Sequence, residues 1–260
     1  MSSFTGKKIK DVYKDILHTS NSNTGIGSTI KQVTCGDGDT SSLYLSNRNL
    51  KVQPSADTTT NTVIYDQGGN ALLTVDSTND LIKAGIGQHN VNTQYAHFVI
   101  GNSVSANFVF DRHIALPFEG CFTQTPLQIG SGTNPDTSYT ISNDAHNATG
   151  TYWFVMDNIT IDRVVWWSGA DAATGDTTRC HLMQYDVDSG NGSTSGDLSS
   201  GVVLADGADI TNAGYEQAYY QQMTIQSANV DAGKVILFTF RSDSVNSDFS
   251  INATIKYHLR

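Results

Sequence analysis

Twelve residues at the C-terminus constrain this chain more than any other segment. Phe249, Ile251, Ala253, Ile255, Tyr257 and Leu259 alternate without a break with Ser250, Asn252, Thr254, Lys256, His258 and Arg260. A period of two puts one set on each side of an extended backbone, so the segment is a strand with one buried and one solvated face and needs a second layer against it. Just upstream, KVILFTF (234–240) is almost continuously apolar, the pattern of a strand covered on both faces. TYWFVM (151–156) and NITIDRVVWW (158–167), separated by Asp157-Asn158, read as a hairpin. Residues 93–260 are therefore expected to form an antiparallel, jelly-roll-like β-sandwich.

Composition supports a mainly β chain. Only 15% of residues are charged, against about 25% in an ordinary globular protein. Ser, Thr, Asn and Gly supply the polarity, and they suit turns and wet strand faces. The net charge of −10 is uneven: Lys7, Lys8, Lys10, Lys14 and Lys31 outnumber Asp11 and Asp15 near the start, and the remainder is acidic. An acidic body has no electrostatic means of holding phosphates, which argues against nucleic acid as a partner. No apolar run approaches the ~18 residues of a membrane span, so membrane insertion is not expected. Residues 1–20 also hold no secretion-type apolar run, which implies synthesis and assembly in the cytoplasm.

The first 92 residues read differently. Ile9, Val12, Tyr13, Ile16 and Leu17, with Phe4 ahead of them, follow the spacing of one helix face. A short amphipathic helix or arm is expected there, with a polar Ser/Asn/Gly link running to residue 39. From 40 to 92 come short strand-like runs such as NTVIYD and ALLTVD, with turns such as DQGGN between them. So few large apolar groups make a poor independent core, and identical chains that intertwine would each supply a wall.

Motifs for chemistry are missing. There is no phosphate-cradling glycine motif, no GxSxG elbow and no HExxH, and no cofactor is expected. Cys35, Cys121 and Cys180 are too few and too far apart for a disulfide framework and read as free thiols. Asp186 to Asn191 opens like a calcium loop, but Gly190 takes the fifth position and the bidentate Glu is absent, so the reading is a polar hairpin loop. The aromatic residues remain. Trp166 and Trp167 must point to opposite faces of a strand, and Tyr215, Tyr219 and Tyr220 could extend an aromatic surface. Trp166, Tyr215, Tyr219 and Tyr220 are the candidate surface-ligand contacts, a surface able to stack sugar rings of a host-surface glycan, or alternatively to fill core and a subunit interface.

GKKIKDVYKDILHT, LSNRNLKVQP and GNALLTVDSTNDLIKAGIG resemble the N-terminal part of fibre-like virion structural proteins of tailed bacteriophages, especially those infecting marine bacteria. The resemblance covers about residues 6–92. It implies a homotrimeric tail or capsid fibre in the virion, without enzymatic activity. Phe4, Ile9, Val12, Tyr13, Ile16 and Leu17 would attach it to other virion proteins, 40–92 would form a shaft, and 93–260 a knob for host attachment. A capsid decoration protein is the alternative, and a carbohydrate-binding or polysaccharide-degrading domain a further one.

Overall fold

The computed structural model describes residues 16–19, 25–103, 111–120, 127–141, 145–171, 174–214, 216–243 and 248–260. The chain is mainly β, built from antiparallel sheets, and divides into two units, Met1–Val91 and Asn92–Arg260. Among the described residues, no helix is long and apolar enough to cross a membrane.

In the first unit, β1 (His18–Thr19), β2 (Lys31–Thr34), β3 (Thr40–Leu45) and β4 (Leu50–Val52) form one four-stranded sheet in chain order. β5 (Thr62–Tyr65), β6 (Ala71–Asp76), β7 (Leu81–Ala84) and β8 (His89–Asn90) form a second, also in chain order. Consecutive pairing follows from short turns, which close the least chain per ladder. In the β5–β6 turn, Asp66 Oδ1 accepts from the Asn70 amide at 2.8 Å, and Gly69 takes a φ of +82° that a Cβ would oppose. The first sheet crosses the expected boundary at 39/40, because β1 and β2 join β3. Among the described residues each of these sheets is built from consecutive strands of the one chain. Phe4, Ile9, Val12 and Tyr13 lie outside the described residues. Ile16 and Leu17 sit in irregular chain leading into β1, with Leu17 exposed, and are not part of a helix.

Burial in this unit is inverted. Val33 is the one buried apolar residue among those described, while Leu50, Ile64, Leu72, Ile82 and Ile86 face solvent. By contrast, the Asp76 side chain is fully covered, paired with Lys83 Nζ at 2.8 Å and bonded to Asn79. The Lys83 contact, helped by Asn79, holds its carboxyl down to about 2. A carboxyl depressed by folding contributes stability above its unfolded value near 3.8, and loses it as pH falls towards 2. Hydrogen exchange in β6 and β7, corrected for intrinsic rates, should therefore show steady protection from pH 7 to 5 and a loss of protection below 4. Lys83→Met should move that acid transition upward.

The second unit contains β9 (Thr93–Ser103), β10 (Ile114–Ala115), β11 (Leu127–Gln128), β12 (Trp153–Phe154), β13 (Ile159–Asp171), β14 (Thr177–Val187) and β15 (Leu198–Asp206). It continues with β16 (Ile210–Thr211), β17 (Glu216–Gln222), β18 (Thr224–Ile225), β19 (Asn229–Val230), β20 (Lys234–Ser242) and β21 (Asp248–Leu259). One sheet runs β17-β13-β21-β9, and the other contains β10-β20-β14-β15. Numbering these eight strands one to eight along the chain, first pairs with eighth, second with seventh, third with sixth and fourth with fifth. That outside-in pairing, split between two sheets, is the topology of a jelly roll.

The two sheets bury Phe98, Trp166 and Ile255 from one against Leu182, Phe238 and Phe240 from the other. Each such side chain contributes roughly 1.5–3 kcal/mol relative to exposure. A second cluster lies on the opposite face of the β20-containing sheet. There Met183, Tyr185 and Leu237 pack under Leu127, Ile129, Ile141 and Ala148, the last in the single-turn helix α1 (Ala145–Ala148). Both faces of β20 are thus covered, as its unbroken apolar run requires. In β21, Phe249, Ile251, Ala253 and Ile255 are buried, and Leu259 is exposed at the sheet end.

The expected hairpin at Asp157-Asn158 does not form. β12 pairs with β20 and β13 with β21, so this turn carries the chain from one sheet to the other. Asn158 Oδ1 instead accepts from the Ala232 amide at 2.9 Å.

Candidate functional site

β13 is where the candidate aromatic surface is decided. Ile159 and Ile161 face the core, but the register with β21 shifts between Ile161 and Arg163. The extra residue of this β-bulge reverses the parity of everything after it. Val164, Trp166, Ser168 and Ala170 therefore point inward, and Arg163, Trp167 and Asp171 outward.

Trp166 is fully buried, which corrects its assignment as a surface-ligand contact. Its indole Nε1–H donates to Gln221 Oε1 at 3.2 Å, and its ring meets Phe240 edge-on at 6.4 Å. Trp167 is the exposed partner, at 51%. It lies opposite Tyr220 of β17, with ring centroids 5.0 Å apart, and Arg163 Nη2 donates to the Tyr220 hydroxyl at 2.9 Å. Tyr219 is on the other parity, and its hydroxyl accepts from the Ala213 amide at 2.6 Å and donates to Gln217. It shapes the turn before β17 and does not extend the aromatic pair. Tyr215 lies outside the described residues.

Strand register continues the surface across the sheet. Tyr220, Trp167, Asn252 and Val99 form one cross-strand row, and Gln222, Val165, Thr254 and His97 the next, followed by Arg163, Lys256 and Tyr95. His97 Nδ1 is 3.2 Å from Thr254 Oγ1. The face offers aromatic planes, amides, hydroxyls and two cations. It can stack a ring and hydrogen-bond polar groups, and these rows contain no pair of carboxylates for acid–base cleavage. Sequence reasoning missed Trp167 and Arg163, since nothing in the text of the strand announces the bulge.

The calcium-like loop is closed on itself. Asp186 pairs with Lys234, and Asp188 accepts from the Gly190 amide at 2.9 Å and from Thr194 Oγ1 at 2.6 Å, an Asx turn. Among the described residues, no group of three His, Cys, Asp or Glu side chains is placed to hold a metal. Cys35 and Cys180 are free thiols. The sequence matches no known family model and no curated protein.

Proposed function

We propose that this chain is a virion structural protein of a tailed phage. In this reading it is a homotrimeric tail or capsid fibre whose N-terminal segment attaches to the particle and whose jelly-roll unit serves as the knob. The contrast in burial carries it. The second unit holds two apolar cores of its own, whereas the first, among the described residues, buries a single apolar residue and leaves large aliphatic side chains uncovered. A unit of that kind reaches ordinary burial when copies of the chain lay apolar faces together. The resemblance of residues 6–92 to fibre-like virion proteins supports the same reading. Jelly rolls also serve as capsid and lectin domains, which is an analogy of fold alone. The exposed Trp167–Tyr220 pair favours a host-surface glycan as the ligand of the knob.

Light scattering on the full chain and on residues 93–260 tests the assembly. The full chain is expected at three times the 28.0 kDa of one chain, and loss of the trimer on removing residues 1–92 would place the main contact in the first unit. A monomeric full chain would overturn the fibre reading.

A further inference from the structure

Beneath the strap formed by residues 129–141, two histidines are buried side by side. His113 precedes β10 and His181 lies on β14; both side chains are fully covered, and their rings meet edge to face with centroids 5.1 Å apart. His113 holds the strap directly: its amide donates to Gly130 O at 3.0 Å, its carbonyl accepts from the Ile129 amide at 2.7 Å, and its Nε2 lies 2.9 Å from Gly132 O. Since a carbonyl only accepts, Nε2 carries the proton of the neutral ring, and Nδ1 is left without a hydrogen-bond partner. Neither ring nitrogen of His181 has a hydrogen bond, although Nε2 stands 3.2 Å from Asp206 Oδ1.

The surroundings oppose a second positive charge. Arg179, on β14 with His181, pairs with Asp206 at 2.7 Å and Asp209 at 3.2 Å, and Arg241 on β20 pairs with Asp111. Asp206 on β15 and Asp136 in the strap are the acidic groups facing the histidines. The Asp206 carboxylate is engaged by Arg179, while Asp136 favours the charged form of His113 less than burial disfavours it; its backbone carbonyl accepts from Tyr185 Oη at 2.8 Å. Burial first, then the neighbouring His113, pushes His181 down to about 4 despite Asp206. Burial also lowers His113, with Arg241 adding to the effect against the Gly132 hydrogen bond.

We propose that the His113–His181 pair is an acid-operated latch: neutral, it keeps the strap closed over the second apolar cluster, and protonated, it releases the strap's N-terminal end. The far end is held separately, by paired hydrogen bonds between Tyr139 and Leu198 and by Asp197 Oδ1 on the Ile141 amide at 2.7 Å. Release at residues 129–136 therefore does not require the sandwich to unfold. A base whose folded value is depressed leaves closure at full strength above about 6.5 and weakens it as pH falls towards about 4. This window lies above that of Asp76, and the inference stands independently of the virion reading.

Hydrogen exchange of the full chain at pH 7.0 and 4.5, corrected for intrinsic rates, tests it. Exchange of residues 129–136 should rise at least about tenfold at the lower pH, while β13 and β21 stay protected, and should recover on return to neutrality. His113→Gln and His181→Gln should each blunt the response. An unchanged strap at pH 4.5, uniform loosening of the whole unit, or an undiminished response in folded variants would overturn the latch. If a variant does not fold, the native protein's segment-specific comparison decides by itself.

Discussion

Trp166→Ala is expected to destabilise the jelly-roll unit by about 3–5 kcal/mol, whereas Trp167→Ala, one residue along, should cost about 1 kcal/mol or less. Trp166 is wholly enclosed between the sheets, against Phe240, and its truncation leaves a cavity in a close-packed interior and removes the donor to Gln221 Oε1. Trp167 is 51% exposed and loses mainly its contact with Tyr220. Urea denaturation of the two variants, with unchanged slope, measures the difference directly. Equal losses, or a larger loss at Trp167, would show that the bulge between Ile161 and Arg163 does not set the inward face of β13.

For the proposed trimer, the double substitution Ile64→Lys, Ile82→Lys should reduce the mass of the full chain in solution from three copies to one. Ile64 pairs across the ladder with Leu73, and Ile82 with Val75, so these residues share one apolar face of the β5–β8 sheet. Ile64 is 53% and Ile82 44% exposed in the single chain. Lysine at such a position on a permanently solvated surface changes stability by at most about 0.5 kcal/mol. Buried between copies, the same ammonium would lose its water without gaining a partner, and the assembly would not form. Light scattering on the variant reads the outcome. A trimer that survives both lysines would remove this face from the interface and move the contact elsewhere on the chain.

The legible parts of the fold were those in which a single segment carries its own periodic signal. The alternation of Phe249 to Arg260 determines a strand with one wet face, and the unbroken run in β20 requires cover on both sides. The Asp66–Asn70 turn follows from Gly69, whose left-handed φ is costly with a side chain. The replacement of charge by Ser, Thr, Asn and Gly favours a mainly β chain before any strand is placed. Parity holds only while the ladder is regular, however, and one inserted residue in β13 exchanged the roles of Trp166 and Trp167. Asp157-Asn158 has the composition of a hairpin turn, and only the competing partners β20 and β21 decided that it bridges two sheets.

The same holds for His113 and His181, which are 68 residues apart in the chain and meet because β10 and β14 flank the same central strand. What covers a sheet, and which side chains its neighbours bring together, depends on contacts far apart in the chain. The sequence by itself determined strands, turns and the division between a core-rich and a core-poor region, because those depend on neighbours within a few residues. The tertiary structure alone decided which tryptophan is enclosed, which aromatic pair faces out and which histidines are buried together, because each depends on register between distant strands.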